Sequence, residues 1–164
     1  MRWNLSRFNI TLFSLGFFIS AHAVTAQKAT IVKFDELEKI LNTTSGQIQV
    51  INFWATWCAP CVKELPLLEK VNAQKGLNVK ITLISLDYAD KIDNVNTFLA
   101  RKKIQSDVLL LDEMDYNAWI DKVEKSWSGA IPATLIFNPA TRQRKFVEKE
   151  LKEGELESLI AALK

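Results

Sequence analysis

Hydrophobic positions along this chain alternate between short apolar, β-rich runs and stretches of helical spacing, a pattern that predicts an α/β fold. Ile31 to Phe34 alternates weakly and reads as a short strand. "FDELEKILN" then puts Phe34, Leu37, Ile40 and Leu41 on one helical face, with Asp35 as the expected N-cap. "SGQ" breaks that period, and "IQVINFWA" follows as an apolar run of the kind a buried central strand shows. From Pro60 to about Lys75, the spacing of Val62, Leu65, Leu68 and Val71 predicts a helix, kinked at Pro66 and stopped by Gly76. "VKITLISLDY" and "DVLLLD" read as further core strands, separated by a helix over "KIDNVNTFLARKK" with Val95, Phe98 and Leu99 inward. A further helix is expected over "MDYNAWIDKVEKSW". "IPATLIFN" and "RQRKFVEK" read as two strands joined at the Asn138-Pro139 turn, before a last helix from about Gly154 to Leu163. Strands alternating with helices in this order predict a sandwich with a largely parallel central sheet and an antiparallel edge.

The first 26 residues break this rhythm. Arg2 and Arg7 form a basic start, Phe8 to Ile19 an apolar run, and "AHAVTA" a small-residue end, the order of a secretory signal peptide. Cleavage after Ala23 or after Ala26 fits equally well. The alternative is an uncleaved anchor, but the run is about 12 residues where a bilayer needs roughly 20, and Asn9, Thr11 and Ser14 dilute it. No cysteine lies near either cleavage point, which disfavours a lipoprotein. The expected organisation is therefore a signal peptide over 1–26 and one domain over 27–164, exported to the periplasm or another extracytoplasmic compartment.

Composition changes the picture in two ways. At 48% apolar and 24% charged residues the chain is an ordinary globular protein rather than a disordered or fibrous one. Its formal charge is +2, and loss of Arg2 and Arg7 leaves 19 basic against 19 acidic residues, so nothing suggests nucleic acid as a partner. The signal segment also takes the only histidine, His22, with it.

The two cysteines, in "NFWATWCAPC", are spaced C-x-x-C, and three uses are open to them: a metal, a staple or electron traffic. A structural zinc site takes four N or S ligands, and the mature chain has no other cysteine and no histidine. A four-residue disulfide loop contributes only about 2 kcal/mol of loop entropy, against about 3 for a 15-residue loop, so it is a weak staple. Position favours exchange chemistry. Cys58 falls where a strand gives way to a helix, so free N–H groups and the positive end of the dipole stabilise a thiolate there. Cys61, one turn deeper, is placed to resolve a mixed disulfide formed at Cys58.

"WATWCAPC" at a strand-to-helix junction resembles the thioredoxin superfamily, and "AIPATLIF" is similar to its cis-proline loop, with Pro132 before a core strand. The resemblance runs from about residue 30 to 163. It implies a thioredoxin-like three-layer sandwich, a central mixed sheet with an inserted strand-helix unit near 91–127, and substrate docking at Ile131 and Pro132. "WCAPCVKELP" with that insertion is similar to the exported TlpA/ResA-like thiol-disulfide reductases. That subfamily implies a reductase without cofactor or metal, drawing electrons from a membrane-bound thiol donor. Its substrates are disulfides in exported proteins, the cysteines of apocytochrome c among them. It also implies a role for Glu64, which shares a helical face with Cys61 at i, i+3 and is placed to move the proton of the resolving thiol; the alternative is an exposed helix glutamate beside Lys63. Thioredoxins carry a buried aspartate where this chain has Asn52, which cannot exchange a proton at useful pH. Trp57 is either part of the docking surface or a packing residue, and for Trp119 and Trp127 a core or subfamily-specific surface role fits better than a ligand site. Ala59 and Pro60, with no histidine between the cysteines, favour a reductant. Two other readings stay open, a disulfide oxidant or isomerase and a redox-inert docking module. A peroxidase fits worse, because neither cysteine has the Thr and Arg helpers of a peroxidatic one.

Overall fold

The computed structural model describes Met1 and residues 27–164; the expected signal peptide lies outside the described residues. Six strands form one sheet: β1 (Thr30–Val32), β2 (Ile48–Trp54), β3 (Val79–Ser85), β4 (Asp107–Leu111), β5 (Ala133–Phe137) and β6 (Arg144–Val147). Their spatial order is β1-β4-β3-β2-β5-β6, with β1 to β4 mutually parallel and β5 and β6 forming the antiparallel edge. β4, the strand of the expected inserted unit, lies between β3 and β1 and widens the parallel part of the sheet.

All seven residues of β2 are buried because both of its faces are covered. Val50 and Trp54 pack with α2 (Ala59–Asn72), α3 (Ile92–Lys102) and α5 (Glu155–Ala161) on one face. Ile51 and Phe53 pack with α1 (Phe34–Leu41) and the one-turn α4 (Ile120–Val123) on the other. The result is three layers, as expected of a thioredoxin-like sandwich.

Three local expectations are corrected. Helix α1 begins at Phe34, not after Asp35: burial of the Phe34 ring draws it into the first turn, Lys33 is the N-cap, and Asp35 and Glu36 meet the positive end of the dipole from inside. Helix α2 ends at Asn72, and Gly76 instead takes a left-handed conformation (φ 97°) in the turn that follows. The long helix expected over 114–127 is only a 3-10 turn (Tyr116–Ala118) and α4. Trp119 and Trp127 are both core residues: Trp127 packs 4.5 Å from Phe53, and Trp119 6.1 Å from Phe53 and 6.2 Å from Phe34, ring centre to ring centre. Filling that layer with two indoles outweighs continuation of the helix.

Candidate active site

Strand β2 delivers the chain to the site. Beyond Trp54, the backbone N–H and the hydroxyl of Thr56 both donate to the carboxylate of Asp87, which also accepts from the Ser85 hydroxyl at the end of β3. This buried clamp fixes the loop just before Trp57 and Cys58. Cys58 is the N-cap of α2, with Ala59 and Pro60 as the first helical residues. Its Sγ lies 3.3 Å from the Cys61 backbone nitrogen, in the place where a capping side chain accepts from the first turn. The two cysteines form a disulfide. They differ in exposure: Cys58 keeps 6% of its surface and Cys61 none, while Trp57 beside them is 67% exposed.

The Ile131-Pro132 bond is cis, and the Ile131 carbonyl oxygen lies 3.8 Å from Cys58 Sγ. Pro132 is buried and Ile131 half-buried. The loop that carries them is held from two sides. Trp127 Nε1 donates to the Ala130 carbonyl at 2.8 Å, tying the loop to the aromatic layer. The Glu148 carboxylate, just past β6, accepts from the backbone N–H groups of Ser128 and Ala130. Burial pushes the Glu148 carboxyl up, but the hydrogen bond it accepts from the Ser128 hydroxyl, with those from the two backbone N–H groups, wins and holds it below its ordinary value.

Glu64 is not the exposed helix glutamate that Lys63 beside it allowed. It has no exposed surface, and Lys63 points away to pair with Glu150. The carboxylate accepts from Asn52 Nδ2 at 2.7 Å and from the Leu151 backbone N–H at 2.7 Å. Asn52 also donates to Thr134 Oγ1 at 2.9 Å, because the two residues face each other across β2 and β5. One buried chain of hydrogen bonds thus runs from α2 through β2 to the strand that follows Pro132. Burial raises the Glu64 pKa above 4.5, the nearby Glu150 and Glu155 carboxylates add to the rise, and the hydrogen bonds from Leu151 and Asn52 offset only part of it. Where a thioredoxin has one buried aspartate on this strand, the chain pairs a neutral amide with a glutamate from the helix.

Cys58, Cys61, Ile131 and Pro132 therefore meet, with Trp57 at the rim and Glu64 in the layer beneath. Asp87, Thr134 and Glu148 position the site and were not singled out from the sequence; Trp127 was, but not as the tether of the cis-proline loop. Only the acid at the end of "ISLD" offered a local signal, as a carboxylate facing the loop after the neighbouring strand.

Residues 21–144 match the AhpC/TSA family model, and the chain belongs to that family, here in its thioredoxin-like form with a C-x-x-C disulfide. It is 28% identical over 121 residues to the thiol-disulfide oxidoreductase ResA of Oceanobacillus iheyensis, covering 73% of this chain and 59% of the relative. It is 40% identical over 63 residues to a thioredoxin of Coprinus comatus, covering 38% of this chain and 58% of that one. The chain thus spans less than two thirds of the length of these relatives. Among solved structures it is similar to a thioredoxin-related protein from Neisseria meningitidis serogroup B, with a TM-score of 0.60 and 28% identity over 72% of this chain and 85% of that one. Among the described residues no helix is long and apolar enough to cross a membrane.

Proposed function

We propose that this chain is an exported thiol-disulfide oxidoreductase that works as a reductase of protein disulfides. The observation that carries this reading is the asymmetry of the pair: Cys58 caps a 14-residue helix and keeps a small exposed edge (6%), and Cys61 sits fully buried behind it. In the dithiol state the Cys61 amide and the helix dipole favour a thiolate on Cys58. That thiolate attacks one sulfur of a substrate disulfide, the other substrate sulfur leaves as a thiolate, and a mixed disulfide remains. Cys61, losing its proton, then attacks Cys58 Sγ and releases the second substrate thiol. Two electrons pass to the substrate, and the chain is left with the disulfide described above.

Glu64, one turn along α2, is the proposed acceptor of the Cys61 proton; its raised pKa brings it nearer to operating pH than an ordinary carboxylate. Trp57 and the Ile131-Pro132 loop are the proposed docking surface, with the Ile131 carbonyl free to receive a substrate backbone N–H. The resemblance to the TlpA/ResA-like subfamily supports a membrane-bound thiol donor and exported substrates, cytochrome c precursors among them. The signal-like first 26 residues support export.

The reading is tested by adding the reduced chain to a disulfide-linked protein such as insulin. Wild type reduces it, Cys61→Ser accumulates a mixed disulfide visible on a non-reducing gel, and Cys58→Ser does neither. Undiminished reduction by Cys58→Ser would overturn it.

A further inference from the structure

Cys58 has a second flank, away from the Ile131-Pro132 loop. An open groove of about 560 Å³ runs between the start of α2 and the outer face of α3, walled by Trp57, Ala59, Val62 and Phe98. Trp57 and Ala59 are the covalent neighbours of Cys58, so the groove lies within a residue's reach of a chain joined to the Cys58 sulfur. The groove has an apolar floor, with Phe98 only 7% exposed. Its only charges are two cations, Arg101 and Lys102, in the last turn of α3.

Both cations are exposed and both lie over the Phe98 ring, the Arg101 Cζ at 5.6 Å and the Lys102 Nζ at 5.9 Å from its centre. Among the described residues neither is in an ion pair, so both are open to a carboxylate from outside the chain. Two like charges held side by side without a counter-charge, above an apolar floor and next to a reactive sulfur, complement a carboxylate-bearing chain.

We propose that this groove receives the segment of a substrate polypeptide next to its reacting cysteine, and that it selects segments carrying Asp or Glu. The inference rests on the reductase reading and adds the substrate class to it. The apolar part of such a segment lies against Trp57, Val62 and Phe98, and its carboxylates reach Arg101 and Lys102. Two exposed ion pairs correspond to a preference on the order of 3–10-fold in reduction rate.

The test uses the reduced full chain and two disulfide peptides of one sequence, with two Glu beside the attacked cysteine in one and two Gln in the other. Each rate is divided by that of dithiothreitol on the same peptide, which removes the effect of the charges on the disulfide itself. The expected result is a normalised preference for the Glu peptide that falls toward parity as salt is raised to about 0.5 M and is lost in Arg101→Gln/Lys102→Gln. The salt series on wild type stands by itself should the double variant fold poorly. Equal normalised rates in wild type, a preference unchanged by salt, or one that survives the double substitution overturns the inference and leaves the reductase reading intact. A chain that reduces neither peptide nor insulin overturns both.

Discussion

Glu64→Gln isolates the effect of burying one carboxyl. Glu64 has no exposed surface and titrates above 4.5 in the folded chain, because desolvation outweighs the hydrogen bonds from Leu151 and Asn52. Between pH 4.5 and that raised value the folded state therefore holds one more proton than the unfolded state. The stability it contributes is complete below 4.5 and is lost as pH rises through the folded pKa. The slope within this window approaches, at its steepest, about 1.4 kcal/mol lost per pH unit, the limit for one proton. Hydrogen bonds hold Glu148, Glu150 and Glu155 below 4.5, so these three add the opposite slope around pH 4 to 5, and they add it to wild type and variant alike. The disulfide removes both thiols, and the described residues 27–164 contain no histidine. Urea unfolding of the oxidised chain, begun at Gln27 to leave out His22 and measured from pH 4 to 8, reads the effect directly. Relative to Glu64→Gln, which keeps the volume and an acceptor for the Leu151 N–H, wild type is expected to lose stability with rising pH. Parallel curves for the two would refute the reasoning.

Asn52→Asp places a second carboxyl against Glu64, and two buried like charges cannot both ionise; the expected loss is about 3–5 kcal/mol at pH 7 and much less at pH 4, by the same urea series. Asp87→Ala leaves the Thr56 N–H and the hydroxyls of Thr56 and Ser85 without their acceptor, so stability falls by about 1–3 kcal/mol and hydrogen exchange at the Thr56 amide accelerates. Trp127→Ala removes the ring against Phe53 and the tether to Ala130, with an expected cost of about 3–5 kcal/mol in thermal or chemical unfolding and faster exchange at the Ile131 amide.

Much of the fold was legible because its signals are local. "IQVINFWA" is apolar at nearly every position since both faces of β2 are covered, and Leu65, Leu68 and Val71 mark the buried face of α2. The C-x-x-C spacing and the proline before β5 likewise lie within short windows. What was not legible depends on contacts between distant residues. Glu64 sits beside Lys63 on a helix and reads equally well as exposed; only the packing of α2 on β2 brings Asn52 to it, and only the approach to α5 brings the Leu151 amide. Trp119 and Trp127 share a helical period of eight, yet Phe34, Phe53 and Phe146 from three other elements bend their segment into a turn and a single helical turn. Glu148 reads as the polar end of an edge strand, and its hold on Ser128 and Ala130 joins positions about 20 residues apart.

The central claim, that Cys58 and Cys61 form a dithiol that gives its electrons away, is tested most directly by their reduction potential, measured by equilibrating the chain in defined thiol-disulfide buffers. The account predicts a value near that of thioredoxin, about −270 mV, or lower. A value near about −120 mV would mean that the pair prefers to hold its electrons, and would make the chain a disulfide-forming oxidant instead.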